Sequence, residues 1–352
     1  PNMRKISLSL TTRIISMTVL LLGFGLIMIY SASVAEGARD FGSKWHFVLL
    51  QLKWATVGLI GMTIVSFIPP KIWEKLAPLM MMAGLTLLLL VVIPGIGTKV
   101  QGARRWLVLP FINLQPSELI KFIEVVYLAS WLNIRKIHLT QFSFFVAVVA
   151  GLIMLQPDMG TTLVVTILAI AMYFLSGYPF KHLITIAIFG LIAGSILILS
   201  APYRIERVKT FLDPLHDSQG SSYHIRQVLL SLGSGGVSGL GIGRSRQKYA
   251  YLPEATTDSI FAVVGEELGF IGGVTLILAF LYYLSLIFKV ATAERDKFAS
   301  TLVAGIGAWI GLQVSLNLAA MVALTPLTGV PLPLVSYGGS ALITMLAGVG
   351  LV

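Results

Sequence analysis

No cysteine occurs in the 352 residues, so disulfides, thiolate metal ligands and cysteine nucleophiles are excluded. Charge is scarce as well. Only 11% of residues are Asp, Glu, Lys or Arg against 56% hydrophobic, a poor composition for one soluble core of this length. The histidines His46, His138, His182, His216 and His224 show no close ligand spacing, so a zinc site is unsupported. No GxxxxGK[ST] run or strand-turn-helix dinucleotide context is present, and no nucleic-acid partner is expected.

What fills the chain instead is long apolar runs. A bilayer-crossing helix needs about 20 mostly apolar residues, and such windows fall at 14–33, 47–68, 76–93, 117–132, 141–155, 161–177, 183–200, 259–288, 299–324 and 336–352. The runs are continuous and do not alternate in short pieces, which disfavours a barrel. The expectation is an all-α polytopic membrane protein of about ten transmembrane helices, a single domain over 1–352 with a large loop at 201–257 between the seventh and eighth helices. The first run is long enough to span and no small-residue cleavage site follows it, so it reads as a retained helix. Pro1 and Asn2 ahead of Met3 read as an appended remnant, and the last run stops at Val352 with no polar flank, as though the native C-terminus extended further.

With both termini placed in the cytoplasm, the short inner connections carry Lys71 and Lys75, Arg135 and Lys136, and Lys289, Arg295 and Lys297, as the positive-inside rule requires. A second basic group then falls outside: Lys99, Arg104 and Arg105 in 94–116, and Arg204, Arg207, Lys209, Arg226, Arg244, Arg246 and Lys248 in 201–257. A solvated face or anionic headgroup contact would explain them; so would an anionic ligand. Loop 201–257 exceeds the roughly 12–15 residues beyond which connections are usually functional or disordered. Its "RVKTFLDP" (207–214) and "YHIRQVLLSLG" (223–233) suggest short interfacial helices.

Several polar motifs interrupt the apolar runs, each with a structural reading beside the functional one. "LGSGGVSGLGIGRSRQK" (232–248) could bring backbone close to a phosphate or form a re-entrant turn. In "QPSELIKF" (115–122), Glu118 and Lys121 share a helix face. Glu118 could close a capping box with Gln115 while Lys121 snorkels, or the pair could face a polar cavity. Asp158 in "LQPDMGTT" (155–162) is a natural N-cap as well as a candidate site residue. The segment "LTPLTGVPLPLVSYGGSA" (324–341) is tolerable at membrane depth only if buried in protein or lining water. Asp258, after Thr256 and Thr257, could cap the next helix or act as a general base at its outer end. Glu266 and Glu267, deeper in that helix, read as buried structural partners.

These motifs, with "GARRWL", "RVKTFLDP", "GLGIGRSRQKYAYLPEATTDSIFAVVGEELG" and "TPLTGVPLPLVSYGGSA", occur in the order found in the SEDS proteins, the RodA, FtsW and SpoVE group, which the chain resembles over nearly its whole length. Ser259 stands where that family usually has Phe, and Thr256 where His is common. The resemblance implies a ten-helix fold in the bacterial cytoplasmic membrane and an inverting peptidoglycan glycosyltransferase that polymerises lipid II at the outer face, in elongation or division. It implies Asp258 as the essential aspartate and general base, undecaprenyl pyrophosphate as leaving group, and Arg105, Glu118, Lys121 and Asp158 in other sensitive motifs. Arg104, Arg105 and Lys121 would then steady the pyrophosphate, with Glu118 orienting Lys121 and Asp158 supporting the cavity. A divalent cation, Mg or Mn, could share that task, although no motif demonstrates one. Expected partners are lipid II, the growing glycan chain, the bilayer and a class B penicillin-binding protein. A lipid II flippase, or a non-catalytic scaffold for such a transpeptidase, are the competing readings.

Overall fold

The computed structural model describes residues 2–100, 103–108, 113–134, 136–213, 222–245 and 252–352. Arg135, His216, Arg246 and Lys248 lie outside the described residues, as do 214–221 and 246–251 of the long loop. Seven helices come first: α1 (Asn2–Phe41), α2 (His46–Ser66), α3 (Pro70–Val92), α4 (Pro116–Ile134), α5 (Leu139–Met154), α6 (Met159–Leu175) and α7 (Lys181–Leu199). The two helices expected in the loop follow, α8 (Pro202–Leu212) and α9 (Tyr223–Gly235). The chain closes with α10 (Ile260–Ala293), α11 (Lys297–Met321) and α12 (Gly339–Gly350).

Each apolar run of the sequence therefore falls on a helix. Among the described residues six of them, in α1, α2, α3, α7, α10 and α11, are long and apolar enough to cross a membrane, and α5, α6 and α12 are shorter apolar helices. The molecule is a multi-pass, largely helical membrane protein. At 1.5 Å per residue α1 runs to about 60 Å, roughly twice a bilayer's hydrocarbon thickness, so part of it stands clear of the lipid.

α4 and α11 form the centre. α4 carries Glu118, Lys121 and Glu124 and is buried along most of its length, the placement that charge within a membrane protein requires. It packs against α3, α6, α11 and α12. Small residues allow the close approach: a Cβ on Gly305 of α11 would lie 2.9 Å from the Val125 side chain of α4 and 2.7 Å from that of Met172 of α6. At the other extreme, α7 has no buried residue at all.

Two features depart from a plain bundle. Where a connection was expected at 94–116, strands β1 (Thr98–Val100), β2 (Ala103–Val108) and β3 (Asn113–Leu114) form a small antiparallel sheet in the order β1-β2-β3. Inside α10, Gly269 adopts φ 66° and ψ −165°, which breaks the helix. The glycine-rich stretch after α9 inserts into that break. Phe270 N–H donates to Gly236 O at 2.9 Å and Ile271 N–H to Val237 O at 3.1 Å, while Leu240 and Gly241 N–H donate back to Glu266 O and Glu267 O at 3.0 and 2.9 Å. The loop thus supplies partners that the interrupted helix needs within a membrane. A Cβ on Gly239 would sit 2.2 Å from Glu267 O, so glycine is required there for backbone contact with the helix.

Candidate active site

The connections at one end of the bundle enclose an open cavity of about 1110 Å³, to which Arg105, Glu118, Asp158, Arg207, Glu254 and Asp258 all contribute. Distant stretches of sequence meet there because antiparallel helices return their alternate ends to the same level.

Asp258 sits on the turn that leads into α10. The turn closes on Glu254 O, which accepts from Thr257 N–H at 3.1 Å and Ser259 N–H at 3.0 Å. Three successive carbonyls beyond it are then held by the Pro-rich segment and α11. Thr256 O accepts from Tyr337 N–H at 2.8 Å, Thr257 O from Ser336 Oγ at 2.6 Å, and Asp258 O from Asn317 Nδ2 at 2.8 Å. The buried part of 324–341 is accordingly the wall that fixes this turn. Capping does not explain Asp258: the N-cap position of α10 belongs to Ser259, which makes no side-chain cap bond. One residue earlier, Asp258 lines the cavity instead. Gly329 faces it, with φ 71° and an ideal Cβ position 3.4 Å from Asp258 Oδ2.

Burial pushes the Asp258 carboxyl up to about 7; the Glu254 carboxylate adds to that, the Arg207 guanidinium opposes it, and Asp158 raises it further. A carboxyl so poised can exchange a proton near neutrality. Nearby, His224 of α9 bonds through Nε2 to Ser259 Oγ at 2.8 Å. Burial pushes the His224 imidazole down, against the pull of Glu254, with Arg207 adding to the depression.

The other expected residues divide by local geometry. Arg104 and Arg105 are neighbours in β2, where successive side chains point to opposite faces; Arg105 lines the cavity and Arg104 is not among its lining residues. Arg105 donates from Nε to Gln156 O at 3.0 Å and from Nη2 to Pro157 O at 2.5 Å, bracing the α5–α6 junction. Asp158 is the N-cap of α6, its two carboxylate oxygens accepting from Thr161 N–H at 3.0 Å and Thr161 Oγ1 at 2.9 Å. Glu118 opens onto the cavity and accepts from Lys121 Nζ at 2.6 Å. Lys121 itself is only 1% exposed and reaches Gln313 Oε1 at 3.4 Å, beside Trp309. Its ammonium braces α4 against α11 and lies off the cavity wall.

Glu266 and Glu267 are buried partners, as the sequence suggested. Glu266 accepts from Ser231 Oγ at 2.9 Å and Ser245 Oγ at 2.5 Å, and Glu267 from Ser31 Oγ at 2.6 Å. Several cavity residues were not singled out in sequence, among them Glu206, Arg207, His224 and Glu254. Arg207 was visible only as one member of the loop's basic group; its Nη1 donates to Leu327 O at 3.1 Å. Among the described residues no three His, Asp or Glu side chains converge as a metal site. Asp158, moreover, has both oxygens on Thr161. The residues do not fit a cation held by protein ligands alone.

Known proteins agree with this architecture. The family model for FtsW, RodA and SpoVE, described as "Cell cycle protein", matches residues 12–352. Stage V sporulation protein E of Bacillus subtilis is 38% identical over 344 residues, covering 96% of this chain and 94% of the relative. A protein named probable peptidoglycan glycosyltransferase FtsW from Coxiella burnetii is 38% identical over 363 residues, covering 99% and 96%. Among solved structures, a chain from a peptidoglycan synthase complex superposes with a TM-score of 0.80 at 29% identity, covering 96% of this chain and 95% of its own. The rod shape determining protein RodA of Thermus thermophilus gives 0.70 at 29% identity, covering 96% and 93%. With the match running from residue 12 to the last residue, and the helical scaffold shared with RodA, the chain belongs to the FtsW/RodA/SpoVE family.

Proposed function

We propose that this protein is a peptidoglycan glycosyltransferase that polymerises lipid II at the outer face of the bacterial cytoplasmic membrane, with Asp258 as general base. The observation that carries the reading is a carboxyl pushed up to about 7 at the wall of a cavity that also holds Arg105 and Arg207. It is supported by relatives that bear the name peptidoglycan glycosyltransferase.

In the reaction, Asp258 takes the proton of the acceptor sugar's 4-hydroxyl as its oxygen attacks the anomeric carbon of the lipid-linked chain. The bond from that carbon to the pyrophosphate oxygen breaks with inversion, and undecaprenyl pyrophosphate leaves with the electron pair. A base works best with a pKa near the working pH. Arg105 and Arg207 are the cavity cations suited to the departing pyrophosphate, whose charge grows as the bond breaks. Glu118 and Lys121 act on α4 by fixing the wall. Asp158 holds the α6 end of the cavity in place. Both termini lie in the cytoplasm, loop 201–257 lies outside, and a class B penicillin-binding protein crosslinks the product; the peptidoglycan synthase complex among the similar structures supports such a pairing.

The test is polymerisation of purified lipid II by wild type and Asp258→Asn, each with a cognate transpeptidase. Loss of polymer from a folded variant that still binds lipid II is the expected result. Equal polymer from both proteins removes the base assignment.

A further inference from the structure

We propose that Glu254 is a positioning residue whose carboxylate, on the same turn and at the same cavity, acts through the Asp258 carboxyl. The inference rests on Asp258 being the base and adds the residue that tunes it.

Three independent features single out Glu254. Its side chain lines the same cavity as Asp258. Its carbonyl closes the turn on which Asp258 stands, accepting from Thr257 and Ser259 N–H, so the backbones that carry the two carboxylates are held four residues apart on one turn, Glu254 on its exposed side. Its backbone has φ 51°, left-handed and unfavourable for a branched or long side chain. Such strain persists where the surroundings over-determine it, commonly at functional sites. Thr257 Oγ1 further donates to Glu254 Oε2 at 2.8 Å, which directs the carboxylate within the turn.

Among the described residues, the charged and titratable groups around the pair come from separate elements, and Arg105, Glu118 and Glu206 line the same cavity. Arg207 of α8 opposes Glu254 in its effect on Asp258, and Asp158 at the start of α6 reinforces it. His224 of α9 is within reach of both Glu254 and Arg207, and Glu36 near the end of α1 is within reach of Glu254. Among these, Glu254 is the neighbour with the largest electrostatic effect on Asp258, and it acts to keep the proton on. Two carboxylates sharing a site resist ionising together. Removing the Glu254 charge therefore makes Asp258 a weaker base that ionises at lower pH.

The experiment reads the proton directly. Full-length protein in detergent is treated with a hydrophobic carbodiimide, which attacks protonated carboxyls, across a pH series; labelling of the Asp258 peptide is followed by mass spectrometry. In Glu254→Gln the pH of half-labelling falls, so that the proton concentration at the midpoint rises about threefold to tenfold, while Glu254→Asp stays close to wild type. Glu254→Asn is the second neutral variant, because Asn tolerates the left-handed backbone of this position. It gives the same fall should the glutamine protein fail to fold. An unchanged midpoint in a folded neutral variant overturns the proposal. Because labelling needs no polymerisation, a shifted midpoint upholds the role of Glu254 even where the polymerisation profile does not follow it, and that second result counts against Asp258 as the base.

Discussion

Asn317 of α11 holds Asp258 in place from behind: its side-chain Nδ2 donates to Asp258 O and to Val330 O, each at 2.8 Å. A single buried amide thus joins the turn before α10 to the Pro-rich wall opposite. Asn317→Ala leaves both carbonyls short of a partner at a cost of about 1–3 kcal/mol. The expected outcome is a lower thermal midpoint in detergent and polymerisation reduced at least about tenfold for each 1.4 kcal/mol that reaches the transition state. Lipid II binding is expected to persist, and a filter-binding assay beside the polymerisation assay checks both.

The pH dependence follows from Asp258. With its carboxyl up at about 7, the base is ionised above neutrality and protonated below it. Polymerisation therefore rises with pH through about 7, and well below that falls roughly tenfold per pH unit. The stability effect has the opposite sign. A carboxyl raised above its ordinary 3.8 binds its proton more tightly in the folded chain, so its contribution is full below that value and lost as pH rises toward about 7. A rate profile with no acid limb between pH 6 and 8, on the order of one unit either side of that value, contradicts the assignment.

Lys121→Met removes one partner of the buried pair and strands Glu118. Breaking a buried ion pair costs about 3–5 kcal/mol, whereas replacing both members by apolar or neutral groups is often tolerated. Lys121→Met is expected to be strongly destabilised and Lys121→Met with Glu118→Gln to recover much of the loss. Thermal unfolding of the two proteins separates a brace from a ligand contact: a Lys121 that acted only on substrate would leave the midpoint unchanged.

Gly239→Ala adds a Cβ that would sit 2.2 Å from Glu267 O, at a residue with φ 79°. Overpacking of this kind costs about 1–3 kcal/mol, and the left-handed backbone adds to it. The expected effect is a lowered thermal midpoint with slower polymerisation. Gly243→Ala serves as the control: φ there is 80° but, among the described residues and its chain neighbours apart, no atom lies within 4 Å of the added Cβ, so the penalty is chiefly one of backbone conformation.

Much of this arrangement could be read from residues in order. The apolar runs gave the helices because backbone in lipid must satisfy itself locally, and Asp158 was legible as a cap because a cap is made within three residues. Glu118 and Lys121 were legible as a pair for the same reason. What escaped notice depends on the third dimension. Arg207 and His224 become cavity residues only when α8 meets the Pro-rich segment through Leu327 and α9 packs on α10, and Glu254 only when its turn closes. Arg104 and Arg105 looked equivalent until 103–108 proved to be a strand, whose alternation separates them. Asp258 looked like a cap because its neighbours are threonines and a helix follows, yet the helix begins one residue too late for it to serve.

The bare surface of α7 has an evolutionary consequence. No residue from Lys181 to Leu199 is buried against the protein, so the acyl chains around it are the solvent that judges its side chains. Apart from His182, whose Nδ1 bonds Tyr173 Oη at 2.8 Å, and Ile186, which packs on the core, its positions are asked for hydrophobicity and length. Exchanges such as Ile188→Leu or Phe189→Leu should pass unnoticed in a growth competition, while Gly305 on α11, pressed between Met172 and Val125, should accept almost nothing. The lipid-facing positions of the seventh helix are free to drift in sequence as fast as the membrane permits.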